Sequence, residues 1–468
     1  MLARWIVRVG QGSAEWVRIA LAGPDVAASA EIARGTKTVQ ERAIRLKLAD
    51  GVMYAERAGK HLFLQPESPD WIVVNQNGAI LLSRCDGATR EEVLGQAGES
   101  AWEQASALFA EALARGVLVN MSANTKIEAL KRGTPQKLSM VHLKLTNQCN
   151  LRCSYCYARS GKRSKVLSWA DLEMIARDVA ALSDSVAYVL SGGEPLLHPS
   201  VLDFAEKVKA AGNKVHLLTN GSLIDGANAE RIAAATDVVK ISLDGSSDTV
   251  HAATRGKGNF ARVTRAIEML LGCGANVVVA MTVTKANCGD LAAMVARYGS
   301  SLALQPLFKA GRASAADDLA LTGVEYYRAL AAVDGVAPMG AVSPKLNSLR
   351  GRGVRRCAMA EREISISETG DMYPCQLLHE DRFRAGNVRE QSVAEIYSKS
   401  PVFARMRQIS VDTLAKCSAC AVRYLCGGAC RARDLFEVGS EELVGEFCAY
   451  EREALLSGIF QSVEMYRV

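Results

Sequence analysis

The hydrophobic positions along the chain fall into patterns that change twice. Between residues 51 and 119, GVMYAER, KHLFLQP and DWIVVN are short runs rich in aliphatic and aromatic residues. Turn formers separate them, so they predict three strands. AILLSRCDG and the stretch Trp102–Arg115 predict helices, and Thr89 ahead of Glu91 and Glu92 marks another helix start. These elements predict a small sheet-plus-helices unit. Residues 1–50 are weakly patterned and predict no role. MSANTKIEALKRGTPQKL, residues 121–138, is polar and carries Gly133 and Pro135, which predicts a linker. Its Lys126, Lys131, Arg132 and Lys137 face only Glu128 and read as a solvated face rather than a binding patch.

From 141 to about 310 the pattern alternates. VHLKLT, VAYVLS, KVHLLT, VVKISL, ANVVVAMTV and LALQPL predict strands, and residues 169–182, 200–211, 228–235, 260–272 and 290–299 predict helices between them. Strands alternating with helices predict an α/β fold with a parallel sheet and helical crossovers. Six strands rather than eight predict a partial (β/α)6 barrel. Ligands of such sheets gather at the C-terminal strand ends. The first strand is followed by three cysteines, the second by SGGEP, the third by TNG and the fourth by SLDG. The predicted divisions are 1–120, a linker over 121–138, a barrel over 139–312, a connecting helical segment over 313–350 and a cysteine-rich domain over 351–468.

Composition narrows the function classes. A chain of 468 residues holds about three domains. Apolar residues make up 49% and charged residues 23%, which excludes a mainly disordered chain. The net charge of +6 is too weak to argue for nucleic acid. No run of about 18 apolar residues predicts a membrane span. The opening MLARWIVRVGQGSAEW lacks a secretory h-region, so a cytoplasmic protein with reduced thiols is expected. Against this ordinary background stand 13 cysteines. An odd number excludes a complete set of internal pairs, and a chain of this size needs no disulfide staples. Cys149, Cys153 and Cys156 form one group. Cys357, Cys375, Cys417, Cys420, Cys426, Cys430 and Cys448 lie in the last quarter. Cys85, Cys273 and Cys288 are scattered and are expected to be small buried apolar residues. No histidine pair has metalloprotease spacing.

In CNLRCSYC, three thiolates on one loop can hold three irons of a cubane, which would leave the fourth open to a small molecule, a spacing unlike the four-thiolate ferredoxins. With Tyr155 before the last cysteine, the motif resembles the radical S-adenosylmethionine (SAM) superfamily over about 140–310. The resemblance implies a [4Fe-4S] cluster on Cys149, Cys153 and Cys156. Its open iron would chelate SAM, whose reductive cleavage yields a 5′-deoxyadenosyl radical. Gly192, Gly193, Glu194 and Pro195 resemble that family's GGEP motif, which receives the SAM ammonium. Asn220 and Ser242 resemble its ribose and methionine-carboxylate contacts, Arg255 a partner of that carboxylate, and the backbone beside Tyr155 the adenine contact.

The spacing of the seven later cysteines resembles the SPASM domain over about 357–450, which implies two auxiliary iron–sulfur clusters of the [4Fe-4S] type. By that resemblance Cys417, Cys420, Cys426 and Cys448 hold one completely. Cys357, Cys375 and Cys430 hold the other, whose fourth ligand is unassigned because no cysteine lies between 357 and 375. A zinc site is the competing metal reading of 417–430. Arg350, Arg352, Arg355 and Arg356 read as a solvated loop.

VVNQNGAILLSRCDGATREEV within 51–119 is similar to the winged-helix leader-peptide recognition element of pyrroloquinoline quinone biosynthesis. Such elements add a precursor peptide as a strand to an exposed sheet edge. The full expectation is a partial (β/α)6 radical SAM barrel with an N-terminal winged-helix-like domain and a C-terminal iron–sulfur domain. It would act on a ribosomally made precursor peptide, forming a thioether or carbon–carbon crosslink. An external electron donor such as flavodoxin or ferredoxin is implied, with neither nucleic acid nor membrane as partner. The alternatives are side-chain oxidation as in sulfatase maturation, tetrapyrrole modification, and a non-catalytic zinc-stabilised peptide-binding module.

Overall fold

The computed structural model describes residues 45–95, 101–121, 137–161, 165–333, 349–462 and 465–468. The reading of residues 1–44, most of the 121–138 linker and residues 334–348 lies outside the described residues. Two compact units are present: residues 1–131, 346–353 and 459–468 form one, and residues 132–345 and 354–458 the other.

In the smaller unit, β1 (Arg45–Leu48) precedes the three predicted strands, β2 (Met53–Arg57), β3 (Lys60–Gln65) and β4 (Asp70–Val74). These form an antiparallel meander in the order β2-β3-β4, with Phe63 opposite both Tyr54 and Ile72. α1 (Gln76–Ser83) starts where the Asn75 side chain accepts from the Gly78 N–H. β5 (Asp86–Thr89) and α2 (Arg90–Leu94) follow, and Thr89 and Glu92 cap each other's backbone at the predicted start. α3 (Trp102–Ala114) matches its predicted helix, and β6 (Leu118–Asn120) closes a second sheet in the order β5-β1-β6. That sheet was not read from the sequence: its strands are three or four residues long, too short to show a period. Leu46, Phe63, Ile72, Val74, Leu82, Leu108 and Phe109 fill the core between the elements.

Two distant segments complete this unit. Arg350 lies 4.4 Å over the Trp71 ring, and its Nε donates to Asp70 at 3.1 Å. This arginine is therefore a packing residue, contrary to the solvated loop expected. Tyr466 pairs beside β4, donating to the Val73 carbonyl at 2.9 Å and accepting from the Asn75 N–H at 3.0 Å.

The larger unit carries all six predicted barrel strands: β7 (Met140–Thr146), β8 (Ala187–Gly192), β9 (Lys214–Thr219), β10 (Val238–Ser242), β11 (Val277–Val283) and β12 (Leu302–Pro306). Each pairs in parallel with its sequence neighbour. The crossovers are α4 (Trp169–Ala180), α5 (Val201–Ala210), α6 (Ala229–Ala235), α7 (Asp248–Arg255) with α8 (Phe260–Gly272), and α9 (Leu291–Tyr298). α7 was not predicted. α10 (Gly323–Ala331) accounts for the helical character of the connecting segment.

The sheet does not stop at the barrel. β13 (Glu363–Ile366) runs parallel to β7, and β14 (Asp371–Tyr373) and β15 (Gly386–Asn387) extend the same sheet to nine strands. The cysteine-rich region is thus hydrogen-bonded to the first barrel strand. Among the scattered cysteines, only Cys85 is a buried core residue, just past α1 rather than in it. Cys273 caps α8 and is exposed, and Cys288 is partly exposed, so the expectation of burial fails for both. Among the described residues no helix is long and apolar enough to cross a membrane.

Candidate active site

β7 ends at Thr146, and the following loop carries Cys149, Cys153 and Cys156 over the C-terminal edge of the parallel sheet. The loop has little regular structure, so its shape comes from bonds to its neighbours. Cys149 donates its N–H to Gly161 at 3.0 Å, and Ser154 donates to Thr254 at 2.9 Å. A third brace comes from beyond the last strand. Arg312 donates its N–H to the Cys156 carbonyl (3.0 Å), its Nε to that of Cys153 (2.9 Å) and its Nη1 to that of Ser160 (2.8 Å). At Gly311, with φ of +61°, a Cβ would sit 2.1 Å from the Tyr157 carbonyl oxygen. Only glycine permits that approach. Gly311 and Arg312 were not singled out from the sequence. A Gly-Arg pair in the loop after the last strand is a weak signal, legible only once the loop it clamps is known.

The GGEP residues lie where β8 ends. A Cβ on Gly193 would meet the Gln148 carbonyl oxygen at 2.1 Å, so this motif packs directly against the cysteine loop. Glu194 is fully buried. Its Oε1 accepts from Thr219 Oγ1 (2.7 Å) and the Leu196 N–H (3.1 Å), and its Oε2 from the Asn220 N–H (2.8 Å). Burial raises its pKa to about 7, with those three donors pulling the other way. Pro195 opens the short turn that follows. Asn220 Nδ2 reaches Asn150 Oδ1 at 2.9 Å and stands 3.9 Å from Cys149 Sγ. The TNG and GGEP segments are thus joined through one carboxylate.

Ser242 ends β10 and is half-buried. Two residues on, Asp244 is fully buried and organises this side of the site. Its Oδ2 accepts from Tyr155 Oη, from Thr254 Oγ1 (2.8 Å) and from Arg255 Nε (2.9 Å), and its Oδ1 from the Thr282 N–H (3.2 Å). Arg255, expected at a SAM carboxylate, here forms a buried ion pair and lies 5.5 Å from the Tyr155 ring centre. Asp244 was within reach of the sequence, as the aspartate of SLDG, yet nothing there tied it to Tyr155 and Arg255.

The donor set fits a cluster on three thiolates. Burial pushes the Cys149 thiol up to about 11 and raises that of Cys153, while the cations Arg255 and Arg312 pull Cys153 down. The Leu151 N–H points at Cys149 Sγ from 3.4 Å. Cations and N–H donors around thiolates favour the deprotonated, metal-binding form.

The later cysteines separate into two sets. Cys375 is deeply buried, which raises its pKa strongly, and the negative groups around it are Glu363, Cys357 and Cys430. Cys417 is pushed up to about 11 by burial, with Arg431 opposing and Cys448 and Cys420 adding to the rise; Cys426 also feels Cys448. Among the described residues no three His, Cys, Asp or Glu side chains converge tightly enough to hold a single ion. Near both the barrel thiols and the first auxiliary set lies Lys144 of β7. It is buried, 5.3 Å from the Tyr157 ring centre, and lowered to about 8 by burial against the charges of Glu368, Cys156 and Cys375.

Comparison with known proteins places these features. The radical SAM superfamily model matches residues 143–290, and the SPASM iron–sulfur cluster-binding domain matches residues 357–421. A mycofactocin maturase, MftC of Mycobacterium ulcerans (strain Agy99), is 31% identical over 321 residues, covering 62% of this chain and 82% of the relative. This chain belongs to the radical SAM/SPASM maturase family. As a member of that family it is an iron–sulfur enzyme that modifies peptides, and it uses SAM, a [4Fe-4S] cluster and auxiliary clusters. An AdoMet-dependent heme synthase of Methanosarcina barkeri (strain Fusaro / DSM 804) is 26% identical, covering 66% of this chain and 96% of that relative. In fold, the radical SAM/SPASM chain is similar to Streptococcus suis SuiB, solved bound to its precursor peptide SuiA. The TM-score is 0.54 at 14% identity, over 86% of this chain and 99% of that one.

Proposed function

We propose that this enzyme matures a ribosomally made precursor peptide. Its leader would bind the smaller unit, and a core residue would enter the barrel mouth. The observation that carries this reading is the self-contained antiparallel meander β2-β3-β4 ahead of a radical SAM barrel and its SPASM region. A sheet edge recognises an extended peptide through main-chain hydrogen bonds, with alternate side chains supplying selectivity. Tethering by a leader raises the effective concentration of the core at the barrel. When bound, SAM and the cluster supply a 5′-deoxyadenosyl radical for hydrogen abstraction, and closure to a thioether or carbon–carbon bond is the proposed outcome.

The chain's own residues bind and orient. The backbone of Gly192 and Gly193 and the Glu194 carboxylate would receive the SAM ammonium, while Asn220 and Ser242 would hold the ribose and carboxylate. The Asp244–Arg255 pair holds Tyr155, and with it the backbone that would meet adenine. The electron donor, flavodoxin- or ferredoxin-like, acts from outside.

Two outcomes check this reading. Glu194 is raised to about 7 by burial, so its carboxylate is half-ionised near that pH and fully negative above it. A negative partner holds the cationic cofactor better. SAM affinity, measured anaerobically by calorimetry, should rise by about threefold or more between pH 6 and pH 8, and Glu194→Gln should flatten that profile. A profile unchanged in Glu194→Gln removes Glu194 from the SAM site.

The second concerns the peptide edge. One edge of the meander, β4, already carries Tyr466, and Asn75 Nδ2 and Asn77 Nδ2 both donate to the Val468 carbonyl at 3.0 Å. A leader adding at β4 must displace this segment. Tyr466→Ala should then tighten binding of a precursor peptide encoded beside this chain by about tenfold, read by fluorescence anisotropy. Weaker binding would show that the segment supports the site, and unchanged binding would place the leader on the β2 edge or elsewhere. A precursor that does not bind the full chain at all contradicts the leader reading itself.

A further inference from the structure

The auxiliary cluster nearer the barrel has three cysteines and no fourth. Glu363 lies at that gap from two directions. It opens β13, whose antiparallel register with β14 pairs Ser365 with Tyr373 and Ile366 with Met372. Cys375 lies two residues past the end of β14, the strand that pairs with β13. From the other side, the turn after Cys357 folds back on the strand. The Glu363 N–H donates to the Ala358 carbonyl at 3.0 Å, Met359 pairs with Glu363, and the Ala360 N–H donates to Pro374 at 2.9 Å. Glu363 is thereby drawn toward Cys357 and Cys375 at once. The electrostatics agree: after burial, its negative charge is among the influences that raise both thiols.

The carboxylate is also held as a ligand is held. His142 of β7 is buried, and its Nε2 stands 3.1 Å from Glu363 Oε1. One carboxylate oxygen thus rests against a buried imidazole. A carboxylate ligand commonly has an outer partner that fixes its direction.

We propose that Glu363 is the fourth protein ligand of the auxiliary cluster held by Cys357, Cys375 and Cys430, oriented by His142. The ligand is hard where the other three are soft. It therefore binds its iron less firmly than a thiolate. This assignment concerns the cluster alone and holds whether or not the substrate carries a leader.

The test isolates the auxiliary clusters by replacing Cys149, Cys153 and Cys156 with alanine in the full chain, then compares Mössbauer and ENDOR spectra of variants at position 363. With glutamate present, one iron of one cluster should show an oxygen-bound site that does not bind added cyanide. Glu363→Cys should convert that site to an all-thiolate one at unchanged iron and sulfide content. Glu363→Ala should open it, so that cyanide binds one iron. An all-thiolate spectrum with glutamate present would overturn the assignment. So would an oxygen-bound site that persists in Glu363→Cys or Glu363→Ala, since another group would then be the ligand.

Discussion

Replacing Cys153 by alanine should abolish formation of 5′-deoxyadenosine. By the family resemblance the three thiolates of the β7 loop would hold the barrel cluster, and two would not retain it. With reductant and SAM under anaerobic conditions, product should fall by at least about a thousandfold, because cleavage of the sulfonium needs the electron that the barrel cluster would deliver. Iron should fall from about twelve to about eight atoms per chain while the auxiliary clusters remain. The separation follows from the fold: Cys153 lies in a loop braced by Arg312 and Thr254, whereas the seven cysteines of the SPASM resemblance lie in the region that begins at Cys357. Undiminished turnover, measured by chromatography of the nucleoside, would contradict the ligand assignment.

Asp244→Ala should be the most damaging change that touches no cysteine. It leaves the buried Arg255 guanidinium without its ion-pair partner and strips the acceptor from Tyr155 and Thr254. Removing one member of a buried pair costs about 3–5 kcal/mol, because the remaining charge stays out of water. Thermal unfolding of the variant should begin well below the parent's, and SAM cleavage should fall even where the protein remains folded, since Tyr155 loses its anchor. Asp244→Asn keeps the shape and one acceptor oxygen and should recover part of the stability. If Asp244→Ala melts as the parent does, the pair is not the brace described above.

How far the sequence discloses this protein depends on how local each signal is. The six barrel strands alternate with helices over nearly 170 residues, and a repeat of that length survives the blurring of individual boundaries. Cys149, Cys153 and Cys156 were legible because a cluster on one loop needs fixed spacing. Asp244, Gly311 and Arg312 were not, because their partners are far along the chain: Asp244 meets Tyr155 across 89 positions, and Arg312 meets Cys153 across 159. The extension of the sheet by β13 to β15 was hidden for another reason. Those strands are two to four residues long, and the pairing of β13 to β7, on which the extension rests, is a tertiary fact. Cys273 shows the opposite failure. An apolar residue at a helix end reads as core, but α8 ends at the surface there.

The most direct test of the account is the mass of the substrate. A short peptide encoded beside this chain should be coexpressed with it, purified and examined by tandem mass spectrometry, with the Cys153→Ala protein as control. The account predicts a peptide that has lost hydrogen and resists fragmentation between two crosslinked core residues, in the parent sample alone. An unmodified peptide from cells whose enzyme is loaded with iron and cleaves SAM would contradict it.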